Sequence, residues 1–142
     1  MRFPFKNYPL PKGEMSWWAV LRVQIANPAK HSPPTKTFEA IIDSGASECI
    51  FHSSIGKGIG LNIERGEQSQ TQGVSGQLTT VYMHRVSLYV PGGHVLQIKA
   101  SFSDDIPVAG ILGISGFFEN FKITFDPSST PPGFELERIY RA

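Results

Sequence analysis

Apolar and polar residues alternate along most of this chain with the period of two that marks half-buried β-strands. Between residues 16 and 26, Trp17, Ala19, Leu21, Val23 and Ile25 share one face, with Arg22 and Gln24 on the other. Phe38, Ala40 and Ile42 alternate over residues 38–42, and a further short strand is expected over 48–51. Residues 78–90 predict a long strand region with Val86, Leu88 and Val90 on one face. The turn signal Pro91-Gly92-Gly93 follows it. A hairpin partner comes next, in which His94, Leu96, Ile98, Ala100 and Phe102 alternate with Val95, Gln97, Lys99 and Ser101. Residues 108–114 are a nearly continuous apolar run, as in a strand buried on both faces. Phe121, Ile123 and Phe125 alternate with Lys122, Thr124 and Asp126, and Phe134 and Leu136 suggest a last short strand.

The connections carry their own signals. Pro28, Pro33 and Pro34 make residues 27–37 a loop, and residues 64–72 are polar and loop-like. Over residues 53–61 a helical turn is weakened by Gly56, Gly58 and Gly60, so that stretch reads as a flexible loop. The expected helix is a single short one near the C-terminus, N-capped by Ser115 and running to Asn120. Residues 1–15 combine Pro, aromatic and basic residues without a period and read as an extended N-terminal arm, with residues 16–142 as the folded domain.

Composition agrees with an all-β chain. A length of 142 residues suits one domain, 40% hydrophobic content supplies a core, and Gly 14 with Pro 11 punctuates short strands. The net charge is +1 and no two Lys or Arg are adjacent. That pattern offers no basic block for nucleic acid or an anionic membrane. Cys49 is the one cysteine, so no intrachain disulfide forms and nothing requires an oxidising compartment. The N-terminus lacks a continuous apolar segment, and no run approaches the roughly 18 residues of a membrane span. A soluble, cytoplasmic protein is the expectation.

The candidate chemistry sits where Ala40-Ile41-Ile42 runs into Asp43-Ser44-Gly45-Ala46. As a bare tripeptide, Asp-Ser-Gly is turn chemistry. At the end of an apolar strand, however, a charge costs free energy unless it is solvated, paired or hydrogen-bonded, so its presence there points beyond a plain turn. Two further features follow in order. Gly73-Val74-Ser75-Gly76 has hairpin-tip chemistry, with two glycines able to take positive φ. Ile111-Leu112-Gly113 is an apolar pair followed by glycine, with Gly116-Phe117-Phe118 beyond it.

This ordered set resembles the retropepsin-like aspartic peptidases, over roughly residues 16 to 126. The resemblance implies an all-β, closed-barrel-like acid protease fold and an aspartic endopeptidase with no metal or organic cofactor. Two carboxylates are needed for that chemistry, and held about 3 Å apart they share one proton; the aspartic protease dyad is the standard example of this effect. One motif per chain therefore implies a homodimer with Asp43 from each subunit at the two-fold axis. By the same resemblance, Ser44 hydrogen-bonds across the dimer beneath the dyad, and Gly45 and Ala46 complete the active-site loop. Gly73, Val74, Ser75 and Gly76 form a flap over a polypeptide bound in extended conformation. Ile111, Leu112 and Gly113 support the catalytic loop. Ile114-Ser115-Gly116 departs from the polar or charged pair that family members often carry next. The alternatives are a peptide-binding or structural domain of the same fold with little or no activity, or a domain excised from a larger polyprotein.

Other candidates have blander readings. Asp104-Asp105 fits a solvated turn, because neighbours in a strand face opposite ways. His31, His52, His84 and His94 lack metal-ligand spacing and read as surface or loop residues. Cys49 reads as a small buried hydrophobe. Of Trp17 and Trp18, one is expected in the core and one on the surface.

Overall fold

Six strands close into a barrel in the computed structural model, which describes residues 1–140. The chain begins with β1 (Arg2–Pro4), β2 (Lys6–Pro9) and β3 (Met15–Trp18), followed by β4 (Val20–Ala26), β5 (Phe38–Ile42) and β6 (Ile50–His52). A short helix α1 (Ser53–Gly58) and a 3-10 turn (Ile63–Arg65) lead to β7 (Glu67–Gln72), β8 (Leu78–Val90) and β9 (His94–Ser103). Last come β10 (Gly110–Leu112), β11 (Phe121–Asp126) and β12 (Gly133–Arg138). The barrel runs β4-β5-β10-β6-β9-β8 and closes where β8 returns to β4, Leu88 opposite Ile25. The alternating residues fill its interior: Leu21, Val23 and Ile25 of β4, Ala40 and Ile42 of β5, and Ala100 and Phe102 of β9 are buried. Closure leaves the six barrel strands without an open edge.

β8 is long enough to serve two purposes. Its second half lies in the barrel against β4 and β9, and its first half leaves the barrel to pair with β7. The resulting hairpin turns over at residues 73–77, where the Gly73 N–H donates to the Gln77 carbonyl. The sequence reads residues 64–72 as a loop because β7, Glu-Gln-Ser-Gln-Thr-Gln, has no apolar face. Its pairing rests on backbone hydrogen bonds to β8, which periodicity does not register.

The helix lies earlier than expected. Residues 114–120 are turns, and Gly116 at φ +93° takes a left-handed conformation that an α-helix cannot contain. Ser115 is not a helix cap; the Gly116 N–H is taken instead by the Glu119 carboxylate at 2.8 Å. The helix forms at α1, over glycines read as a flexible loop. His52, read as a surface or loop residue, caps it: its Nδ1 accepts from the Ser54 N–H at 3.2 Å.

Residues 1–15 fold back on the chain. β1 pairs with β12, which pairs with β11 in a second, three-stranded sheet. There Phe3 stacks on the fully buried Phe134 at 5.4 Å between ring centroids. β2 pairs with β3, so the strand expected over residues 16–26 is interrupted at Ala19 and its first part belongs to a separate hairpin. Trp17 and Trp18 sit on that hairpin and are both exposed, at 53% and 43%; neither is in the core. Among the described residues, no helix is long and apolar enough to cross a membrane.

Candidate active site

β5 and β10 run parallel, with Ile41 opposite Ile111 and Ile42 opposite Leu112. Both strands end together, so the loop after β5 and the segment after β10 leave the sheet side by side. Hydrogen bonds tie the two: the Asp43 N–H donates to the Leu112 carbonyl at 3.0 Å, and the Ile114 N–H to the Ala46 carbonyl at 2.9 Å. Gly113 passes so close that a Cβ there would stand 2.2 Å from the Glu48 carbonyl oxygen and 2.7 Å from that of Ala46. Only a residue without a side chain fits between these backbones.

The loop itself is a tight turn. The Ala46 N–H donates to the Asp43 carbonyl at 3.1 Å, and the Gly45 N–H to Asp43 Oδ1 at 2.8 Å. The second bond fixes the carboxylate's orientation and gives it a donor from the main chain. Asp43, Ser44 and Gly45 are nevertheless exposed on the barrel's outer surface.

A cleft of 570 Å³ opens above this turn. Asp43, Gly45, Ala46 and Ile111 line it from the barrel, and Gly73 and Val74 from the β7–β8 hairpin tip. Val74 is fully exposed there. Ser44, Ser75 and Gly76 lie beside the cleft without lining it, Gly76 holding the tip turn at φ +80°. Leu112 and Gly113 are buried beneath it. Sequence reasoning missed Ser47, Ile50, Thr71, Gln72, Thr79 and Ile106, which complete the wall. Thr71, Gln72 and Thr79 flank the hairpin tip and follow from it once β7 is known to be a strand. Asp43 is the one carboxylate among the described residues that line the cleft, and none of the lining residues is basic. No group of three or more His, Cys, Asp or Glu is placed to hold a metal ion among the described residues.

Residues 23–115, well over half of the chain, match a family model described as aspartyl protease. The chain belongs to the aspartyl protease family. The matched stretch of this family member takes in β5, the Asp43 turn, the β7–β8 hairpin and β10. Its fold is that of the retropepsin-like aspartic proteases. A retropepsin-like aspartic protease from Rickettsia conorii superposes with a TM-score of 0.60 at 14% identity, over 95% of this chain and 98% of the other. The retroviral protease-like domain of Ddi1 from Leishmania major gives 0.51 at 15% identity, over 73% of this chain and 80% of that domain. No curated protein matches the sequence significantly.

One nucleophile near the site is out of service. Cys49 is fully buried near the Asp43 turn, its Sγ 3.5 Å from the Ser115 carbonyl. Burial pushes its thiol up to about 12; the charges of Glu119 and Glu48 add to this, and the Gly113 backbone opposes it. A thiol raised this far holds almost no thiolate at neutral pH, and the thiolate is the reactive form. The folded protein at pH 8 is therefore expected to react with iodoacetamide far more slowly than the protein in denaturant. Equal rates in the two states would contradict the burial.

Proposed function

We propose that this aspartyl protease family member is an aspartic endopeptidase, active as a homodimer in which the Asp43 carboxylates of two subunits meet. The observation that carries the reading is the solitary exposed carboxylate, held by a backbone N–H at the mouth of a cleft that supplies no second acid. Amide hydrolysis by this route needs one carboxylate ionised, to take a proton from water, and one protonated, to polarise the scissile carbonyl and then protonate the leaving amine. A second copy supplies the missing group at a two-fold axis. Exposure of Asp43 in the single chain leaves it free to be covered there. Ser44, exposed next to it, serves as the hydroxyl that ties the two turns together across the dimer.

The β7–β8 hairpin acts as the flap. Its strand β7 pairs with β8 and none of its residues is buried, so it opens at little cost. Closed, Gly73 and Val74 cover a substrate lying extended along the cleft. The competent state carries one proton across two carboxylates, so the rate is expected to fall at both low and high pH, with its maximum on the acidic side of neutrality.

The test is cleavage of an unfolded polypeptide at acidic pH across a dilution series, with sedimentation run in parallel. New N-termini should appear, and specific activity should decline where dimers dissociate. Full activity from a monomer would refute the dimeric mechanism. Binding of peptides without cleavage would instead leave a peptide-binding domain of this fold.

A further inference from the structure

The hairpin β2–β3 lies outside residues 23–115, the stretch shared with the family. Tyr8 is opposite Ser16 and Lys6 opposite Trp18, so these side chains share one face of the hairpin. That face is tied to the barrel through Lys6 and Glu39 but leaves a gap beside the pair. Tyr8, Leu10 and Trp18, together with Val20, Ile41 and Val108 of the barrel, line a cavity of 550 Å³. Tyr8, Leu10 and Trp18 remain 38%, 44% and 43% exposed, so its hairpin wall is open to a ligand. The volume falls in the range of small-ligand sites.

The cavity's indole N–H and its carboxylate already have partners. The Trp18 Nε1–H donates to Ser16 Oγ at 2.6 Å, leaving the ring as apolar surface. Glu39 is the one charged residue in the wall, and Lys6 Nζ meets its two carboxylate oxygens at 2.5 and 2.6 Å. The same bond raises the Lys6 ammonium above its ordinary range. It also latches the hairpin to β5. A charged ligand finds no unpaired charge in this wall, whereas an apolar group meets mostly apolar surface.

The cavity adjoins the catalytic cleft. Val20, Ile41 and Ile111 are successive partners across β4, β5 and β10, forming one row on one face of the sheet. Val20 and Ile41 line the cavity and Ile111 lines the cleft, one strand spacing away, or about 4.8 Å. The segment before β10 repeats the pattern: Ile106 lines the cleft, Val108 and Ala109 the cavity. An extended chain lying at Asp43 is thus within one side chain's reach of the cavity's barrel wall.

We infer that hairpin β2–β3 builds a specificity subsite that takes a large, neutral, apolar side chain, Phe or Leu in size, from the peptide substrate. The inference rests on the peptidase reading above. A peptide library first locates the position at which the wild-type protein most favours such a residue. Two decapeptides differing only by Phe or Ala at that position are then compared with wild type, Trp18→Ala and Leu10→Ser, after thermal melting has shown each variant folded. Wild type should favour Phe by about tenfold or more in kcat/KM. In both variants the ratio should move toward one, the larger loss falling on the Phe peptide. An unchanged ratio, equal losses on both peptides as expected of a surface covered by a second copy, or no position favouring a large apolar residue would overturn the subsite. Binding of the same two peptides to Asp43→Asn, followed by tryptophan fluorescence, separates the two proposals. Preference for Phe that depends on Trp18, without cleavage by wild type, would sink the peptidase and keep the subsite. Cleavage by wild type with equal binding of both peptides would do the reverse, and no binding and no cleavage would sink both.

Discussion

Asp43→Asn is expected to lower kcat/KM for peptide hydrolysis by about 10²–10⁴-fold or more, the usual contribution of a positioned acid or base. The substitution separates chemistry from folding unusually well here. Asp43 Oδ1 accepts the Gly45 N–H at 2.8 Å, and the amide oxygen of Asn can accept the same bond. The turn therefore survives, while the group loses its ability to accept and return a proton. In the proposed dimer a pair of neutral Asn side chains carries no charge at any pH, so above the range in which the two carboxylates share a proton the dimer should be at least as tight as the wild type. Far-ultraviolet circular dichroism and sedimentation should match wild type while turnover vanishes. Turnover near the wild-type rate would remove Asp43 from the mechanism.

The second large effect is expected at Gly113, which touches no substrate. A methyl group there would lie 2.2 Å from the Glu48 carbonyl oxygen, a backbone atom that cannot swing aside as a side chain would. The segment of residues 46–48 must shift, and Asp43 shares its turn with Ala46. Gly113→Ala should cost about 1–3 kcal/mol of stability, as overpacking does. Displacement of the carboxylate by about 1 Å should cost a further factor of about 100 in rate. Denaturant unfolding and kcat/KM measure the two separately. Gly58→Ala is the matched control, since nothing lies within 4 Å of a Cβ built there and its φ is not in the left-handed region. If Gly113→Ala behaved like Gly58→Ala, the close approach between the segment after β10 and the Asp43 turn would be wrong.

Periodicity reports burial, and this divides what the sequence reveals from what it conceals. The barrel strands β4, β5, β8 and β9 are legible because one face of each packs inward: Val86 and Leu88, or Ala100 and Phe102, have no access to solvent. β7 is hidden because none of its six residues is buried. In hairpin β2–β3, β3 is read only as the start of β4, and β2 is hidden for a related reason. The hairpin's apolar residues face a cavity or solvent, and Pro9 and Pro11 mark a turn without announcing the strands beside it. The misplaced helix is signalled by Ser115 as an N-cap, and the left-handed φ of Gly116 is a backbone conformation that the cap signal does not encode. In the candidate site, Asp43, Gly73, Val74 and Ile111 stand out because turn chemistry and apolar runs mark them. Ser47, Thr79 and Ile106 reach the cleft only through the barrel's register.

The central claim is that one reaction uses Asp43 from two chains. It is tested most directly by mixing wild-type protein with Asp43→Asn at fixed total concentration, allowing subunits to exchange, and measuring activity against the fraction of variant. If both carboxylates are required, a mixed dimer is inactive and activity follows the square of the wild-type fraction, falling to about a quarter in an equal mixture. A linear decline, with about half the activity left in the equal mixture after complete exchange, would mean that each chain works with its own Asp43 alone and would contradict the shared site.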